Sequence, residues 1–61
     1  MTAEDLKIAA RTLYGEKAAQ KKLAAALNSD VASVRRWWSG KTPVPGPVAA
    51  AVEAWLSLGL S

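Results

Sequence analysis

Apolar residues recur along this chain at helical spacing, and no stretch alternates at the two-residue period of a half-buried strand. In "MTAEDLKIAARTLYG", Leu6, Ala9, Ala10 and Leu13 share one face with Tyr14 at its edge, which predicts a first helix. Thr2 followed three residues on by Asp5 is a capping-box-like start, and Gly15 is the expected left-handed stop. Ile8 falls on the opposite face, where nothing within one monomer accounts for it. A second helix is expected over residues 16–27, which are rich in strong helix formers. Its apolar stripe runs through Ala19, Leu23, Ala26 and Leu27, with Lys17, Gln20 and Lys21 facing outward. Asn28 tolerates the left-handed backbone that a reversal over residues 28–30 needs, and Asp30 suits the cap of a third helix. That helix spans residues 31–39 and stops at Gly40. The stiff "KTPVPGP" then leads to a last helix, residues 47–58, with Val48, Ala51, Val52, Trp55, Leu56 and Leu58 on its apolar arc. The expected fold is all-α: one domain over residues 1–61, a compact bundle of four short helices.

Composition narrows what such a bundle can be. At 61 residues the core is thin, and small domains usually need a disulfide, a metal or self-association to hold together. Cysteine and histidine are both absent, which removes disulfides, thiolate zinc sites and imidazole chemistry. Association or unusually good helix packing is left. Five scattered carboxylates offer no paired acid and base, so an enzyme is not expected. Nor does anything in the sequence call for a cofactor, a metal or a small-molecule ligand. No apolar run approaches the length of a membrane span, and the N-terminus lacks a signal-peptide pattern, so a soluble cytoplasmic protein with no membrane partner is expected.

Charge is unevenly spread. From Lys17 to Lys41 six cations face the single acid Asp30, a balance of +5, whereas the remainder carries two cations and four acids, a balance of −2. Such segregation fits a polyanionic partner for the middle of the chain, with an ordinary solvated surface as the alternative. The stretch "SVRRWWSGK" favours the first reading. On a helical wheel Val31, Val34, Trp37 and Trp38 form one apolar arc, and Ala32, Arg35, Arg36 and Ser39 the opposite one. Tryptophan anchors the helix to a core on one side, while two guanidiniums project past small side chains on the other. That combination suits insertion into a DNA major groove.

Residues 20–41, "QKKLAAALNSDVASVRRWWSGK", resemble the helix-turn-helix of Cro- and phage-repressor-like DNA-binding proteins. Gln20, Leu23, Ala24, Leu27, Val34, Trp37, Gly40 and Lys41 match that family's pattern in register. Three turn positions depart from it: Asn28 stands for a usual glycine, Ser29 for an apolar residue and Asp30 for a serine or threonine cap. The expected start of the second helix also lies a turn before Gln20, whereas in the family this glutamine opens the helix and touches the DNA backbone.

The resemblance implies that residues 31–39 are a recognition helix. Its base-reading positions correspond to Val31, Ala32, Arg35 and Arg36. Arg36 is the leading candidate, suited to bidentate contact with guanine O6 and N7, and Arg35 is a second base reader or a phosphate clamp. Ala32 and Val31 offer apolar contact to a thymine methyl. Backbone contacts would come from Lys17, Gln20, Lys21, Ser33, Ser39, Lys41 and Thr42. The partner implied is double-stranded DNA carrying an inverted-repeat operator, bound by a homodimer, since one recognition helix reads only a few base pairs. Leu56, Leu58 and Leu60 are candidates for the dimer interface. With no sensor domain, the chain resembles the small autorepressors of phage and mobile-element operons, including those beside anti-CRISPR genes. A protein-binding adaptor or antitoxin-like module, or an RNA-binding protein using the same basic patch, stands as the alternative.

Overall fold

The computed structural model describes residues 1–59. Four helices follow one another: α1 (Ala3–Tyr14), α2 (Ala19–Leu27), α3 (Val31–Ser39) and α4 (Gly46–Leu58). α1 starts on the predicted capping box. The Asp5 N–H donates to Thr2 Oγ1 at 3.1 Å, and the Thr2 N–H donates to Asp5 Oδ2 at 3.2 Å. Its end differs from expectation. Gly15 has a positive φ of 80° but a ψ of 179°, an extended mirror-image conformation rather than the left-handed one. The chain therefore swings out of α1 instead of turning straight back, and residues 16–18 form a turn.

α2 consequently begins at Ala19, three residues later than the composition of residues 16–18 implied. Ala18 takes the left-handed conformation, with φ 59°, at a cost of roughly 1–2 kcal/mol for a residue that carries a Cβ. This turn aims α2 so that Ala19, Leu23 and Ala24 are buried. Because α2 packs against both α1 and α3, its covered side centres on Leu23 and Ala24. Ala26, expected on the apolar stripe, faces solvent, and Leu27 is half-buried.

The reversal between α2 and α3 rests on local bonds. Asn28 is left-handed at φ 55°, its N–H reaches the Ala25 carbonyl at 3.2 Å, and the Ser29 N–H reaches that of Ala24 at 2.9 Å. Together these bonds close the helix in a Schellman arrangement. Asp30 then caps α3, its Oδ1 accepting from the Ser33 N–H at 3.0 Å. α3 ends in the same way. Gly40 is left-handed at φ 79°, with Gly40 N–H to Trp37 carbonyl at 3.2 Å and Lys41 N–H to Arg36 carbonyl at 3.0 Å. α4 opens at Gly46, one residue before expectation, with Pro47 in its first turn.

α1 is the hub of the bundle, in contact with each of the other helices. Leu6, Leu23, Val34 and Val52 are fully buried, one from each helix. Ala9, Ala10, Leu13, Ala19, Ala24 and Trp37 complete the core. Alanines bring the backbones close, and Trp37, only 8% exposed, supplies the bulk that they lack. The radius of gyration is 10.1 Å, against about 10.5 Å for a compact chain of this length. No helix among the described residues is long and apolar enough to cross a membrane. α4 is the least covered element: Val52 is its one buried residue, Val48 and Trp55 are half-buried, and Leu58 is 71% exposed.

Candidate nucleic-acid interface

α3 is held by its back. Val34 and Trp37 enter the core, so Ala32, Arg35, Arg36 and Ser39 are exposed on the opposite side, as the wheel predicts. Val31 and Trp38 are half-buried at the edge of the apolar arc, and Ser33 is half-buried along its other flank. The two arginines diverge. Arg35 opens onto a groove of about 580 Å³ whose walls are the start of α2 (Ala18, Ala19, Gln20, Lys21), the α3 residues Val31 and Trp38, and Arg11 with Glu16. Arg36 lies on the other flank, where its Nη2 donates to Ser33 Oγ at 3.1 Å.

The late start of α2 changes the standing of Gln20. It is the second residue of the helix rather than one turn inside it, and it faces the groove beside Lys21. The first turn of α2 has no capping side chain and no acidic residue of its own, although Glu16, in the turn before it, stands on the wall of the same groove. Lys17 is exposed in the turn ahead of α2, not on the helix where it was expected.

Of the remaining predicted backbone contacts, Ser33 lies in the first turn of α3, and Ser39, Lys41 and Thr42 gather at its C-terminal end. The Arg36 carbonyl accepts from the Lys41 N–H, from the Thr42 N–H at 3.4 Å and from Ser39 Oγ at 3.2 Å. The Ser39 hydroxyl proton is thus committed within the helix, and phosphate contact would require it to leave that bond. Lys41 is exposed and Thr42 half-buried. The groove therefore unites Gln20, Lys21, Val31 and Arg35, but not Ala32, Ser33, Arg36, Ser39, Lys41 or Thr42.

Sequence reasoning missed Arg11 and Trp38 as groove residues. The available signal for Arg11 was its place in the last turn of the first helix, just before the Gly15 break and off the Leu6 face. Among the interface candidates, Leu56 is 37% exposed and Leu58 71% exposed, while Leu60 lies outside the described residues.

Hydrogen bonds from Ser33, with the Arg36 charge adding to them, hold the Asp30 carboxyl below the usual carboxylate range. Its pKa is lower folded than unfolded, so its contribution to stability is present above the unfolded value and is lost as pH falls through the folded one. Asp30→Asn keeps a good cap but cannot titrate. Its melting midpoint should stay near that of the parent at neutral pH and fall less steeply below about pH 4. An unchanged acid slope would show that this carboxylate does not contribute to acid lability.

Comparison with protein-family models, with curated proteins and with solved structures finds no match to this chain.

Proposed function

We propose that this chain is a sequence-specific double-stranded DNA-binding transcriptional regulator, a small homodimeric autorepressor of the kind used in phage and mobile-element operons. The observation that carries the reading is the groove that joins the uncapped start of α2 to the outward face of α3, where Gln20 and the cations Arg11, Lys21 and Arg35 outweigh the single acid Glu16. A duplex laid along this surface would meet helix-dipole and cationic groups at its phosphates, and the Ala32 and Arg36 side of α3 at its base edges. Specific base contact then falls to Arg36, with Ala32 one turn before it on the same side, while Val31 sits across the helix on the groove wall beside Arg35. Arg35, which shares its groove with Lys21, is the phosphate clamp. Lys41 and Thr42 hold the backbone beyond the far end of α3.

A second reading has its own observation. Ile8 is 55% exposed and Leu58 71% exposed, and a protein partner that covered them would take both side chains out of water. A protein-binding module would bind that partner tightly and give only weak, non-selective association with DNA.

Selection from a random duplex-DNA library near physiological salt tests the main reading. The expected result is an inverted repeat with half-site centres about 10 base pairs, or a multiple, apart. No enrichment, with binding that disappears as salt rises, would discard it. Competition between duplex DNA and single-stranded or structured RNA separates the RNA alternative. On the selected site, Arg36→Ala should cost about 1–3 kcal/mol and relax preference at one base pair. Arg35→Ala should weaken all duplexes alike and lower the slope of log K against log salt by about 1. The opposite assignment of the two arginines would produce the reverse pattern.

A further inference from the structure

Asp30, Ser33 and Arg36 are spaced three residues apart and form a row along one side of α3. The Ser33 N–H donates to Asp30 Oδ1 at 3.0 Å, and Arg36 Nη2 donates to Ser33 Oγ at 3.1 Å. A single serine thus joins the capping carboxylate to the guanidinium. The tie bends Arg36 back along the Ala32 side of α3, the side that meets base edges in the proposed function. Through the shared serine it also holds the Asp30 carboxylate on the same side of the helix as the guanidinium.

The two possible partners of Arg36 respond differently to that charge. A backbone phosphate is an anion and is repelled by Asp30, whereas the O6 and N7 edge of guanine is neutral and loses little. We propose that Asp30 and Ser33 are specificity-determining residues: Ser33 aims the Arg36 guanidinium, and Asp30 discourages it from settling on phosphate. The inference rests on the DNA-binding reading and adds to it two residues that need not touch a base. Ser33 is a positioning residue here rather than a backbone contact. Asp30 acts chiefly against wrong sequences, since specificity is a difference between affinities.

The test measures Asp30→Asn, Ser33→Ala and Ser33→Thr against the selected duplex and a scrambled one, over a range of salt. Asparagine keeps the cap and alanine suits a helix interior, so circular dichroism of all three should match the parent. Asp30→Asn should bind scrambled DNA about two- to fivefold more tightly, as expected for an exposed charge pair, with a steeper salt slope and a reduced preference for the selected site. Ser33→Ala should lose preference at the base pair read by Arg36, and Ser33→Thr, which restores a hydroxyl, should recover it. If the parent selects its site and both Asp30→Asn and Ser33→Ala leave the preference unchanged, the inference is overturned and the DNA-binding reading stands. A parent that prefers no duplex overturns both.

Discussion

Trp37→Ala should abolish cooperative folding of this chain at room temperature. Trp37 is the largest side chain in the core and only 8% exposed, and it joins α3 to a core otherwise built of leucine, valine and four alanines. Alanine neighbours have no longer rotamers with which to fill the space an indole leaves, so the cavity would persist. Removing a buried tryptophan costs about 3–5 kcal/mol. A domain of 61 residues has about 3–9 kcal/mol of total stability to lose. No disulfide backs it up. Far-UV circular dichroism with urea titration is the measurement, and Trp37→Phe, which keeps most of the ring, should remain folded with a lower midpoint. A Trp37→Ala chain that folds like the parent yet binds DNA poorly would make the indole a ligand contact. That result would reverse the assignment of inner and outer faces on α3 on which the proposed function depends.

The same helix illustrates what was legible in the sequence. The caps at Thr2 and Asp30 and the left-handed residues Asn28 and Gly40 involve neighbours within a few positions, so residue type alone identifies them. The buried and exposed sides of α3 were legible because valine, tryptophan and arginine differ sharply in where they are stable. α2 was harder. Alanine is at ease in either environment, and only contact with two other helices decides that Ala24 is covered and Ala26 is not. The start of α2 depended on Gly15 taking an extended rather than a left-handed ψ and on Ala18 accepting positive φ, neither of which helix propensity encodes. Periodicity placed Arg35 and Arg36 on the outer arc but gave no rotamer, so the Arg36 bond to Ser33 was invisible although its three-residue spacing was plain. Arg11 reaches the groove only because α1 and α3 pack together, a long-range consequence that no local pattern carries.

Leu58→Lys should separate recognition from association. Leu58 lies in the last turn of α4 and is 71% exposed, although leucine in that position gains nothing from water. If α4 forms the interface of the proposed dimer, a lysine there must bring a charge into an apolar contact, and the two subunits part. The choice of lysine makes the outcome one-sided. A cation near a helix C-terminus suits the dipole, so the monomer should fold as before. Added positive charge favours any duplex, so weaker binding could arise only from lost association. A dimer on two half-sites gains from effective concentration on the order of 10²–10⁴-fold over a single contact, and the affinity for an inverted repeat should fall by about that factor. Affinity for an isolated half-site should stay level or rise slightly. Sedimentation equilibrium of the free protein, run beside the two binding isotherms, shows whether the parent is a dimer before it meets DNA. Undiminished binding of Leu58→Lys to the inverted repeat would exclude the end of α4 from the interface. The exposed Ile8 on α1 would then be the next apolar position to replace.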